Sequence, residues 1–82
     1  MKIGPNPSQD LVNLFFDLPE SGTTSINIYD SSGRLVKVLF EDQLKEGANV
    51  LVFSAEPLEE GLYFVHFIVD GETIKTEKLV KQ

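Results

Sequence analysis

With 82 residues, the chain has the length of one domain and not of two. It contains no cysteine, which excludes a disulfide scaffold and a thiolate zinc site, so apolar packing and sheet hydrogen bonds, or a metal held by other ligands, must hold it together. A net charge of −6 and a pI near 4.5 oppose binding to nucleic acid phosphates, and equally oppose attachment to an anionic membrane surface through a polybasic patch.

Met1-Lys2-Ile3-Gly4-Pro5 is no signal peptide, because it reaches a proline before any apolar core has formed. No stretch approaches the roughly 20 apolar residues of a membrane helix. The chain therefore reads as cytosolic as it stands, or as a piece of a larger exported protein. Pro5-Asn6-Pro7-Ser8 predicts an extended lead, since proline fixes φ and pushes its predecessor toward extended backbone. Residues 1–10 are expected to be this lead and residues 11–82 the domain.

Along Leu11–Leu18 the residues Val12, Leu14, Phe16 and Leu18 alternate with Asn13, Phe15 and Asp17. This period of two marks a strand with one buried face. Pro19-Glu20-Ser21-Gly22 ends it. A second strand is expected over residues 25–30, with Ile26 and Ile28 inward and Asn27 outward. Ser31-Ser32-Gly33 reads as a tight turn. Residues 34–40 return as a third strand with Val36, Val38 and Phe40 on one side, forming a hairpin. A polar loop follows, with Leu44 as a possible anchor. The run Val50-Leu51-Val52-Phe53 within residues 49–53 predicts a strand covered on both faces. Glu56-Pro57-Leu58-Glu59-Glu60-Gly61 is a connection with room for one helical turn. Residues 62–70 form the longest strand, with Tyr63, Val65, Phe67 and Val69 on one face and Leu62, Phe64, His66 and Ile68 on the other. Asp70-Gly71 between alternating strands predicts a type I′ hairpin. The last strand spans residues 73–80. Six strands result, with a seventh near Ile3 or around Leu44. No window supports a helix of normal length. Short strands at regular spacing predict an all-β fold: a small immunoglobulin-like β-sandwich of six to seven mostly antiparallel strands.

Catalytic equipment is absent from the sequence. The one histidine, His66, lies inside a strand and reads as a packed or surface residue. No Gly-x-Ser-x-Gly elbow and no phosphate-binding loop is present. Asp30 and Asp70 are explained by turn formation rather than acid–base work. Glu41, Asp42, Glu46, Glu56, Glu59 and Glu60 lie in or beside expected loops and read as solubilising surface charge. A calcium site there is the alternative, although the spacing lacks the EF-hand pattern. Phe15, Tyr29, Phe53, Tyr63 and Phe64 could form a sugar-binding platform, but most are expected in the core. Phe15 alone stands on the polar face of its strand. No catalytic residue, cofactor or metal ligand is assigned.

Three blocks carry a family resemblance. They are Pro5-Asn6-Pro7-Ser8, the stretch Ile26-Asn27-Ile28-Tyr29-Asp30-Ser31-Ser32-Gly33-Arg34-Leu35-Val36, and Leu58-Glu59-Glu60-Gly61-Leu62-Tyr63-Phe64-Val65. The Asp-Gly hairpin and Lys78-Leu79-Val80-Lys81-Gln82 follow the third. In this order and spacing the chain resembles the C-terminal sorting domain of the type IX (Por) secretion system, over essentially its whole length. The resemblance implies an Ig-like, non-catalytic domain behind an upstream cargo. It implies recognition by the outer-membrane translocon, processing by a sortase-like peptidase, and a secreted or cell-surface location. Gly61, Tyr63, Lys78, Leu79, Val80 and Lys81 become the candidate sorting-signal residues. Gly61 suggests a close backbone approach or a bulge. The final strand offers an edge that strand addition could read. Two other readings stand beside this one. The Tyr-Asp-x-x-Gly-Arg-Leu-Val block also resembles Ig-like domains of flagellar hook-capping proteins and spacer domains of secreted glycosidases, and exposed aromatics would suit a carbohydrate-binding module.

Overall fold

Seven strands form in the computed structural model, which describes the backbone of residues 2–4 and the whole of residues 11–82. They are β1 (Lys2–Gly4), β2 (Leu11–Leu18), β3 (Gly22–Asp30), β4 (Leu35–Leu44), β5 (Gly47–Ser54), β6 (Gly61–Val69) and β7 (Glu72–Lys81). The Pro5-Asn6-Pro7-Ser8 lead lies outside the described residues. One sheet has the order β1-β2-β5 and the other β4-β3-β6-β7, and every pairing among them is antiparallel. Three strands facing four, with this crossing of the chain between sheets, is an immunoglobulin-like sandwich. No helix of the described residues is long and apolar enough to cross a membrane.

Alternation builds the core. Val12, Leu14, Phe16 and Leu18 of β2 are buried, as their spacing predicts. Ile26 and Ile28 of β3, Tyr63, Val65 and Phe67 of β6, and Leu79 of β7 close on them from the opposite sheet. The Phe16 and Phe67 rings meet with centroids 4.7 Å apart and planes at 53°, a tilted contact that aromatic quadrupoles favour. Leu39, Phe40, Leu44, Leu51 and Phe53 pack around the margin.

Two turns form as their chemistry dictates. Asp70 and Gly71 have φ of 50° and 83°, the paired positive values of a type I′ hairpin, and Val69 pairs with Glu72 across it. Asp70 also ties this hairpin to the start of β3: its amide donates to the Thr23 carbonyl at 2.8 Å, and its Oδ1 accepts from the Thr23 amide at 3.1 Å. At the opposite end, Asp30 Oδ1 accepts from the Ser32 amide (2.9 Å), the Ser32 hydroxyl (2.6 Å) and the Arg34 amide (3.0 Å). Asp30 Oδ2 lies 3.5 Å from Arg34 Nε.

Three expectations are corrected. The strand around Val50 is not covered on both faces. β5 is an outer strand of its sheet, and Val50 and Val52 are 61% and 52% exposed. A short apolar run records composition, not how many faces are packed. Val36, Val38 and Phe40 do not share one side. The β3–β4 register shifts between Ile26 and Asn27, so Phe40 pairs with inward Ile26 while Val38 pairs with outward Asn27. A bulge adds one residue and reverses the alternation. Val36 and Val38 are accordingly exposed, and Phe40 packs against the core. Residues 41–44, expected as loop, continue β4 instead, and the additional strand is β1 rather than one around Leu44.

The two faces make opposite predictions for unfolding. Leu14→Ala is expected to cost about 2–5 kcal/mol, from lost burial plus a cavity. Val52→Thr is expected to stay within about 0.5 kcal/mol of the parent chain. Urea titration followed by circular dichroism measures both, and a Val52→Thr cost matching that of Leu14→Ala would overturn this assignment of faces.

Candidate functional site

The six residues singled out from the sequence converge in one piece of ladder. Gly61 pairs with Lys81, Leu62 with Val80, Tyr63 with Leu79 and Phe64 with Lys78. Side chains alternate between faces along paired strands, so these four rungs divide by direction. Tyr63 and Leu79 face the core, and Lys81 is buried with them. Lys78 and Val80 face outward, beside Phe64 and Leu62.

The inward half fixes the ladder to the body. Tyr63 is 8% exposed, and its hydroxyl donates to the Glu59 carbonyl at 2.7 Å. This is the tyrosine corner of Ig-like domains, in which a tyrosine near the start of the sixth strand ties back to the connection before it. That connection turns at Ala55, whose carbonyl accepts from the Leu58 amide at 3.0 Å. Sequence alone groups Tyr63 with Val65, Phe67 and Val69 on one strand face but gives no hint of the hydroxyl's partner, which a chain reversal brings within reach.

Gly61 opens β6 for a different reason from the one expected. A Cβ built there would meet nothing within 4 Å, so close backbone approach does not require glycine. Its φ of 153° does, because side-chain-bearing residues rarely adopt it. Nor does the register shift there; in this hairpin it shifts between Phe67 and Ile68.

The outward half belongs to a broad apolar-aromatic face. Tyr29 pairs with Phe64 across β3 and β6, and its ring lies 4.5 Å from that of His66. His66 is thus a half-buried surface residue. Tyr29 and Phe64 line this outer face, while Phe53 and Tyr63 pack inward. Phe15 is 45% exposed on the outer face of the other sheet, paired with Val50. Among the described residues no group of three or more His, Asp or Glu side chains stands close enough to hold a metal ion.

Asp30 carries the one clear electrostatic perturbation in the described chain. The Ser32 hydroxyl and then the Arg34 amide hold its carboxyl below the ordinary value of 3.8; desolvation opposes them, and the Ser32 amide and the Arg34 charge add lesser lowering effects. These partners are the turn's own residues, so Asp30 is a turn-forming group.

The chain was compared with protein families, curated proteins and solved structures. A family model described as the secretion system C-terminal sorting domain, of the Por type, matches residues 2–82. The comparisons with curated proteins and with solved structures each returned no match.

Two outcomes test the geometry. Tyr63→Phe is expected to cost about 1 kcal/mol, leaving the Glu59 carbonyl without its partner, and unchanged stability would remove the corner from the account. For Asp30, a folded pKa below the unfolded one places its stabilisation above the ordinary carboxylate range; it is lost as pH falls through the lower folded value. The gap in thermal midpoint between the parent chain and Asp30→Asn should therefore be full at neutral pH and close in acid. A gap that widens on acidification contradicts this sign.

Proposed function

The chain belongs to the C-terminal sorting domains of the type IX (Por) secretion system, and from that membership we propose that it is the non-catalytic signal by which an upstream cargo is recognised at the outer-membrane translocon and sent to the cell surface or beyond. The observation that carries this reading is the family match over residues 2–82, nearly the whole chain. A sortase-like peptidase is the second partner, acting where cargo and signal join. The family marks its bearer as secreted or surface-exposed; attachment at the outer membrane is the finer part of the proposal.

The ladder of residues 61–64 and 78–81 suits a signal read as a folded object. Its core side, Tyr63 and Leu79, holds the strand ends in place. Its outer side offers Lys78 and Val80 next to Leu62 and Phe64, a cation set within apolar surface. Recognition through that side needs no pocket and no chemistry.

A fusion tests this. An exported reporter carrying residues 1–82 is expressed in a type IX-competent host, beside versions with Lys78→Glu and Val80→Asp together, with Leu79→Ala, or without the last few residues. The outward pair is expected to keep the unfolding midpoint and lose most secretion. Leu79→Ala is expected to lose both. Secretion undiminished by the outward pair would move recognition elsewhere on the domain. Equal secretion of the intact and shortened fusions, or of neither, would remove the sorting function.

A further inference from the structure

The two flanks of β2 are unequally occupied. β5 runs beside it along its whole length, from Leu11 opposite Ser54 to Leu18 opposite Gly47. On the other flank, among the described residues, β1 pairs with Asn13, Leu14 and Phe15. β1 and β7 approach each other at this side of the sandwich. At the Leu18 end of β2 lies a half-open groove of about 270 Å³. Leu18, Phe67, Val69 and Ile74 supply its apolar lining, and Glu20, Asp70 and Glu72 its acidic lining. Ile74 is 53% exposed there, on an outer strand of its sheet.

The direction of β1 gives this groove an occupant. Gly4 lies opposite Asn13, Ile3 opposite Leu14 and Lys2 opposite Phe15, so moving toward the N-terminus moves along β2 toward Leu18. Polypeptide continuing in that register passes Phe16, Asp17 and Leu18 and arrives at the groove. On the reading that a cargo precedes this domain, we propose that the segment immediately upstream of Met1 in the parent protein extends the β1 register along Asp17 and Leu18 and covers the groove. Main-chain hydrogen bonds to the flank of β2 that faces away from β5 supply the adhesion, as in strand addition. Alternation places the residue opposite Leu18 inward, against the apolar lining, and the residue opposite Asp17 outward. The acidic lining selects a segment with an apolar residue at the first position and a lysine or arginine nearby. The cargo is then joined through a paired strand rather than a free hinge.

Cysteine pairing in the full parent chain tests this, because residues 1–82 contribute no cysteine of their own. Any cysteine of the cargo is first replaced by serine. Asp17→Cys is combined with a cysteine at each of the four residues before Met1 in turn. Continuing the register puts the residue directly before Met1 opposite Asp17. Opposed residues of antiparallel strands have Cα atoms about 4.5–5.5 Å apart, within the span of a disulfide. Mild oxidation is expected to crosslink that position in high yield and its neighbours poorly. Equal yield at all four positions, or none at any, overturns the proposal. As a second measurement, the backbone amides among residues 17–18 that point away from β5 are expected to exchange about tenfold more slowly in the parent chain than when the ten upstream residues are replaced by a Gly-Ser linker. Equal exchange overturns it likewise. Secretion is scored separately: a register-specific crosslink in a chain that is not sorted supports this pairing and sinks the sorting reading, whereas normal sorting without the crosslink sinks this pairing alone.

Discussion

The contact between Phe16 and Phe67 stands at the middle of the one interaction that the rest of the molecule depends on. Ladder hydrogen bonds hold each sheet together, but they run within sheets. With no cysteine to bridge them, the sheets are joined by the apolar layer that Phe16, Leu14, Leu18, Ile26, Ile28, Val65 and Phe67 create between them. A domain of this size exposes much of its chain even when folded, so that layer has little reserve. The positions of the turns, the corner and the terminal ladder all presuppose it.

How much of this was legible depends on which physical signal each part carries. β2 was readable in full, because one buried face against an outer face writes itself as strict alternation from Val12 to Leu18. The Asp70-Gly71 and Asp30–Gly33 turns were readable because few residues adopt their backbone shapes or supply their hydrogen bonds. β5 was misread, because Val50 to Phe53 are apolar whether or not anything covers their outer side. The reversal along β4 left no trace, since a bulge is a choice of register and not of composition. Among the candidate residues, Tyr63 could be grouped on one face with Val65, Phe67 and Val69 by counting along its strand, but the direction of Leu79 on the last strand could not be read. That Gly61 answers to its φ, and that Tyr63 ends on the Glu59 carbonyl, emerges only once the chain has turned.

The terminal ladder separates two jobs by parity. Odd positions 63, 79 and 81 are buried and keep the sheet attached; even positions 62, 64, 78 and 80 face away from the core. On the proposed reading, a signal recognised as a folded object needs a fixed body and an accessible face, and the pleat of this strand pair offers a buried side and an outward one. Acidic charge elsewhere on the surface keeps such a body soluble while leaving this face mixed and apolar.

Asp70 also bears on how the chain reaches its folded state. The hairpins β3–β4 and β6–β7 can each close through a short local turn. Joining them requires β3 to find β6, and the Thr23–Asp70 hydrogen bond spans 47 residues of sequence. Loop-closure entropy is lost before such a contact can form, and topologies dominated by long-range strand pairing fold in roughly milliseconds to seconds. By receiving the Thr23 amide and donating to its carbonyl, Asp70 extends the β3–β6 ladder one step beyond the Thr24–Val69 rung. The residue that shapes the last turn thereby also pins, in the folded sheet, the register between strands that belong to two different hairpins.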